Sequence, residues 1–135
     1  MPTETERSDP WRDAAAELLA LTQNGDLDWT NSRSGTDTDS VKYSQSFYTI
    51  IESEKDGEPG NRVRVSEVQV RIPQYILGQD RSFWRTNHII EVGDERGLTY
   101  WQLPIDDVAS DLYEAVKYQK AGVNRFVRRM KTHRK

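Results

Sequence analysis

The stretch that decides the fold reads RVRVSEVQVRI and covers residues 62–72. Valine and arginine alternate at its start, which is the period of a β-strand with one face turned to a core. From Val68 the alternation resumes one residue out of step. We therefore predict a β-bulge near Ser66 and Glu67, because a bulge moves the following side chains to the other face. We expect Pro73 to end the strand, since proline cannot donate to a ladder.

Strand patterns lie on both sides of this stretch. Residues 41–53 are rich in β-branched and aromatic side chains, and residues 56–61 have the composition of a turn. Downstream, residues 83–92 and 98–103 are two further strand candidates, with a turn at residues 93–97 between them. Because these strands follow one another directly along the chain, we predict an antiparallel β-meander of four to five strands.

A helix is predicted before the strands. Asp9 is a suitable N-cap residue and Pro10 suits the first helical position. The apolar residues that follow recur at helical spacing, and Gly25 is placed to end the helix in a left-handed cap. Residues 30–40 contain no large apolar side chain and are predicted to form a loop.

A second helix is predicted after the strands, from around Pro104. Its apolar stripe is spaced alternately by four and three residues. The stripe consists of Ile105, Ala109, Leu112, Val116, Gln119, Val123, Phe126 and Met130. Gln119 is its one polar member. Either residues 105–131 form one helix of about 40 Å, or Gly122 ends the helix and residues 123–131 form a separate one.

The predicted fold class is α+β, with an N-terminal helix, the antiparallel meander, and a C-terminal helix that extends into a basic amphipathic segment. A chain of 135 residues is expected to form one domain. We assign residues 1–8 to a mobile acidic tail, residues 9–120 to a single α+β domain, and residues 121–135 to the basic C-terminal helical segment.

Charge is divided unequally along the chain. The sequence has 19 Lys and Arg residues and 22 Asp and Glu residues. Residues 117–135 hold 8 of the basic residues and no acidic one, so residues 1–116 carry 19 − 8 = 11 positive against 22 negative charges, or −11. Segregated charge of this kind concerns the partners of a protein rather than its fold.

The basic C-terminal segment has two kinds of candidate site residue. The candidates for contact with a polyanion are Arg125, Arg128, Arg129, Lys131, Arg134 and Lys135. The candidates for an interface with a partner chain are Val123, Phe126, Val127 and Met130. A basic amphipathic helix of this kind is able to lie on nucleic acid, on an anionic membrane, in an acidic protein groove, or on its own acidic domain.

From these residues we predict a non-enzymatic binding module whose C-terminal helix contacts a polyanion, and among polyanions we favour nucleic acid. The alternative is a protein-interaction or regulatory subunit that uses the apolar stripe to bind a partner chain or to form a homo-oligomer. The strand aromatics Trp84, Tyr100 and Trp101 give a further indication, since an aromatic ring beside arginines is able to stack bases. Cross-strand packing is the structural alternative for these rings.

Several kinds of chemistry are not indicated by the sequence. There is no cysteine, so disulfides and thiolate sites are excluded. We find no phosphate-binding glycine loop and no zinc-protease motif, and the spacing of Glu67 and Asp56 is unspecific for a metal-dependent hydrolase. His88 is predicted to be a partly buried strand residue. We predict no catalytic residue, no metal and no cofactor.

The sequence shows no sign of a targeting signal or of a membrane span. The first residues are acidic and polar, unlike a secretory signal. No run approaches the ~18–20 apolar residues of a membrane span. We therefore expect a cytoplasmic protein without a membrane span.

Overall fold

The computed structural model of the chain describes residues 9–76, 78–105 and 107–133. Within them lie three helices and five strands. In chain order these are α1 Pro10–Gln23, β1 Thr30–Asn31, β2 Val41–Ile51, β3 Asn61–Ile76, β4 Gln79–Asp94, β5 Tyr100–Gln102, α2 Asp107–Ala121 and α3 Val123–His133. The strands form one antiparallel sheet in the order β1-β2-β3-β4-β5. The predicted α+β class and meander are confirmed, while the predicted tail, residues 1–8, lies outside the described residues.

The first helix begins and ends where the sequence predicts. The Asp9 carboxylate accepts the backbone N–H groups of Trp11 at 3.0 Å and of Arg12 at 3.4 Å. These bonds satisfy two of the donors that a helix leaves free at its start. After the C-cap residue Asn24, Gly25 has a φ of 79°, the left-handed conformation that glycine adopts without strain.

Helices α1 and α2 cover one face of the sheet and enclose the core. The core combines helical, strand and connecting residues, among them Ala15, Leu18, Trp29, Phe47, Val63, Val65, Ile90, Leu103, Leu112 and Val116. Trp29 is buried, and its indole N–H donates to Thr22 Oγ1 at 3.0 Å. Burial of such side chains provides most of the free energy that stabilises a domain of this size.

Gln119, the polar member of the α2 stripe, binds backbone groups of the segment between α1 and β1. Its side-chain nitrogen donates to the Leu27 carbonyl at 2.8 Å, and its oxygen accepts the Trp29 N–H at 3.3 Å. Buried backbone groups need such partners when no strand provides them. The polar position in the stripe therefore fixes the chain that brings Trp29 into the core.

The prediction that Pro73 ends the central strand is wrong. β3 continues through Pro73 to Ile76 and pairs with β4 over its whole length of 16 residues. The Arg71 N–H still donates to the Ser40 carbonyl, at 2.8 Å, just before the start of β2. Backbone nitrogens two residues apart in a strand point to the same edge, so the Pro73 nitrogen, like that of Arg71, points to the β2 side of β3. At this position β3 already extends beyond the start of β2. The missing N–H therefore removes no bond to β4.

The predicted bulge near Ser66 and Glu67 is also misplaced. The register shift lies in β2, between Tyr43 and Gln45, whereas β3 pairs with β4 without interruption. Val68 is nevertheless buried, on the face opposite the helices. The apolar residues of β3 change face because both faces of the sheet are covered at this point.

Smaller differences concern the ends of elements. Thr30 and Asn31 pair with β2, so the predicted loop of residues 30–40 begins two residues later. β4 begins at Gln79 rather than at residue 83, and α2 begins at Asp107 rather than around Pro104. Of the helices in the described ranges, none has the length and apolar composition needed to cross a membrane.

Candidate nucleic-acid interface

Within the basic C-terminal segment, residues 123–133 form a helix of their own. Gly122 has a φ of 69°, so α2 ends at Ala121 and α3 begins at Val123. The left-handed conformation at this position favours glycine over every residue with a Cβ atom. Of the two arrangements compatible with the sequence, the structure has the separate helix. It is 11 residues long, or roughly 16 Å.

The side chains of α3 are segregated on two opposite faces. At 3.6 residues per turn, its four apolar residues fall within an arc of about 100°. We call this set, Val123, Phe126, Val127 and Met130, the apolar face of α3. Val123 is half-buried, while the other three are exposed, Phe126 to 61%. Since no residue of α3 is buried, the helix does not bury this face on its own domain.

The opposite side of α3 carries three of the candidate polyanion-binding residues. We call Arg125, Arg128 and Arg129 the basic face of α3; together with Thr132 and His133 they line a shallow depression of about 440 Å³. These arginines and Lys131 are exposed, and no carboxylate within the described residues forms an ion pair with them. Arg134 and Lys135 lie outside the described residues. The basic face is thus available to an external anion.

A larger cleft separates α3 from the other two helices. Its volume is about 670 Å³, and its walls include Leu19 of α1, Asp111 and Glu114 of α2, and Arg125 of α3. The carboxylates of Asp111 and Glu114 would repel a polyanion inside the cleft. The side of α3 that faces the cleft is therefore less favourable for an anion than the outer side, where Arg125, Arg128 and Arg129 line the depression.

Two of the predicted strand aromatics have packing partners within the domain. Trp101 lies on the helix-covered face, with its ring centroid 5.0 Å from that of Trp11. Tyr100 lies on the opposite face, where the Arg64 guanidinium is 4.0 Å from its ring centroid. Adjacent strand residues point to opposite faces, and here both participate in internal packing. Trp84 has a cation over its ring instead, the Lys42 ammonium, 4.8 Å from the ring centroid.

An ion pair that the sequence did not indicate is buried on the helix-free face of the sheet. Arg64 and Glu91 are 7% and 8% exposed. The Arg64 Nε donates to one Glu91 oxygen at 3.0 Å, and a second guanidinium nitrogen donates to the other at 3.1 Å. The Tyr43 hydroxyl donates to Glu91 at 3.4 Å. Burial first, and the Glu91 charge second, raise the pKa of Tyr43 above its usual range.

His88 joins the sheet to α2 through a second polar cluster. One ring nitrogen lies 2.8 Å from the Ser110 hydroxyl, the other 3.1 Å from the Glu67 carboxylate, and the ring stacks on Tyr113. Burial, with the charges of Glu67 and Glu114, raises the pKa of Tyr113 to about 12.

This cluster does not hold the set of ligands that a metal ion requires. Within the described part of the chain, no group of three or more His, Asp or Glu side chains converges on one point. Asp56, whose spacing from Glu67 in the sequence is unspecific, lies in the turn that precedes β3. Both ring nitrogens of His88 already have hydrogen-bonding partners, Ser110 on α2 and Glu67 on β3. The cluster therefore links α2 to the sheet.

Comparison with protein-family models, with curated proteins and with solved structures finds no match for this chain.

Proposed function

We propose that the protein is a non-enzymatic binding module that contacts nucleic acid through the basic face of α3. One observation carries this proposal. Arg125, Arg128 and Arg129 occupy one exposed side of a separate helix, without an ion-pair partner in the described ranges. Exposed arginines that are free of internal partners are the side chains from which phosphate binding is built.

The charge of the rest of the chain supports a polyanion at this position. Residues 1–116 carry 11 positive and 22 negative charges, a sum of −11. A polyanion is repelled by such a surface and is attracted to α3, which carries the opposite charge. The acidic body therefore directs a phosphate backbone to α3, and the release of counterions from the phosphates would provide the free energy of binding.

A shortened chain tests this function. Residues 1–121 retain α1, the sheet and α2, and they lose a helix that contributes no buried residue. We expect the full chain to bind a labelled duplex or single-stranded RNA at about 50 mM salt at least about tenfold more tightly than the shortened chain, because phosphate contacts dominate affinity at low salt.

Fluorescence anisotropy would measure both affinities, and thermal unfolding of the shortened chain would confirm that it is folded. Equal affinity of the two chains for both probes would contradict the proposal.

A second candidate function is supported by the apolar face of α3. Phe126, Val127 and Met130 are exposed side by side, and grouped exposed apolar side chains mark surfaces that bind other chains. We propose as the alternative that this face packs against a second copy or a partner protein. The heptad-like spacing of these residues is compatible with helix pairing.

Self-association through this face is expected to depend on Phe126. Light scattering would give 2 × 15.7 = 31.4 kDa for a dimer. Phe126→Asp would return the mass to that of a monomer, because an aspartate buried in the interface without a partner is strongly unfavourable. Arg128→Asp, on the opposite side of the helix, is the matched control. A wild-type protein that is already monomeric would rule out self-association through the apolar face.

A further inference from the structure

Strands β3 and β4 extend beyond the rest of the sheet as a two-stranded ribbon. The pairing of β2 with β3 stops at Val41 and Val70. The pairing of β3 with β4 continues from Arg71 opposite Trp84 to Ile76 opposite Gln79. The extension exists because Pro73 does not interrupt β3.

One side of the base of this ribbon combines an exposed indole with cationic side chains. Trp84 is 42% exposed. Arg71 is its direct cross-strand partner, so both side chains lie on the same face. The Lys42 ammonium is 4.8 Å from the indole centroid, and Gln69 and Thr86 on the same face hydrogen-bond to each other at 2.9 Å. We call Lys42, Arg71 and Trp84 the Trp84 face.

The cations of the Trp84 face have no carboxylate partner. In the ranges that the structure describes, neither Lys42 nor Arg71 forms an ion pair, and both are exposed. They therefore make a positive surface on a body whose total charge is −11. A flat aromatic ring with unpaired cations on the neighbouring strands has the composition of a site for single-stranded nucleic acid, in which bases stack and phosphates are neutralised.

We propose that the Trp84 face binds single-stranded nucleic acid, with one unpaired base stacked on the Trp84 indole and with Lys42 and Arg71 contacting the phosphates on either side. This inference rests on nucleic acid being the ligand, as proposed for α3, and adds preference for single strands. A duplex is unable to make the same contact, because its bases are stacked on one another and cannot reach the indole.

The geometry of the ribbon disfavours a peptide strand at its β2-side edge. Pro73 lacks an N–H group there, so an added strand would lose a ladder hydrogen bond. The outer edge of β4 is different, because β5 pairs only with Glu91, Val92 and Gly93. A second copy of the chain could instead pair with this free edge of β4, and light scattering distinguishes that outcome from binding of nucleic acid.

The test compares two substitutions in neighbouring residues of one strand. Trp84→Thr removes the indole while keeping a residue that favours strands. Phe83→Thr is the matched control, since Phe83 is exposed to a similar extent, 45%, on the other face of the ribbon. The probes are a ten-nucleotide oligothymidylate, a ten-nucleotide oligouridylate and a DNA duplex, and fluorescence anisotropy gives the affinities.

We expect Trp84→Thr to weaken binding of at least one single strand by about fivefold to about a hundredfold, the usual range for loss of one stacked base. Phe83→Thr is expected to have less than about a twofold effect, since it lies on the face away from the site. Duplex affinity is expected to be the same in both variants. An equal effect of the two substitutions, or no effect of either, would overturn the proposal.

Two further measurements separate the possible failures. Replacement of Arg125, Arg128 and Arg129 by glutamine tests α3. If this variant loses duplex binding while Trp84→Thr binds single strands normally, the proposed function of α3 stands and the proposal for the Trp84 face is overturned. Light scattering of the wild-type chain and of Trp84→Thr tests the second copy. A dimer that becomes a monomer on substitution would assign the region to self-association and would equally overturn the proposal.

Discussion

Replacing Glu91 by alanine is expected to lower the free energy of unfolding by about 3–5 kcal/mol, because the substitution leaves a buried charge without its partner. Arg64 is 7% exposed and directs two guanidinium nitrogens at the Glu91 carboxylate. Its other contacts, a hydrogen bond to the Arg33 carbonyl at 3.3 Å and the rings of Tyr43 and Tyr100, do not neutralise the charge. Tyr43 also loses its acceptor in this variant.

Urea unfolding at neutral pH would measure this loss. Glu95→Ala, in the exposed turn after β4, is the matched control and is expected to change stability by no more than about 0.5 kcal/mol. The double variant Arg64→Met, Glu91→Leu is expected to regain most of the stability, since apolar residues of similar volume replace a buried pair at little cost. A loss below about 1 kcal/mol for Glu91→Ala would show that water reaches Arg64.

Replacing Arg125, Arg128 and Arg129 by glutamine is expected to weaken duplex binding roughly hundredfold at about 50 mM salt, because three phosphate contacts are lost. The substitutions are not expected to change stability, since all three side chains are exposed. The matched control replaces Arg33, Lys55 and Arg96, three exposed cations of the body, by glutamine. Equal losses in the two variants would show that net charge, rather than the basic face of α3, determines binding.

The fold was predictable wherever local chemistry determined it. The cap formed by Asp9, the left-handed conformation of Gly25 and the alternation of β3 each depend on residues within a few positions of one another. The predictions about Pro73 and the bulge are wrong for a different reason. Each depended on where β2 begins and on what covers the helix-free face, and these are properties of the assembled sheet.

The parts of the site that the sequence did not show are pairings between distant residues. Arg64 and Glu91 lie on neighbouring strands, and their alternation with β-branched apolar residues is equally typical of two solvated residues. His88 meets Ser110 only because α2 packs across β4. The α3 residues, in contrast, form a continuous amphipathic pattern. Their two faces were predictable, whereas the break at Gly122 and the exposure of the apolar face required the structure.

The salt dependence of duplex binding tests the central claim most directly. A plot of the logarithm of the binding constant against the logarithm of salt concentration has a slope of about −0.9 for each phosphate neutralised on duplex DNA. The basic face of α3 provides three arginines, so we expect the glutamine variant of these residues to reduce the slope by about 2.7, and the control variant of the body to leave it unchanged. A full chain and a glutamine variant with the same slope would contradict the assignment of α3 as the nucleic-acid interface.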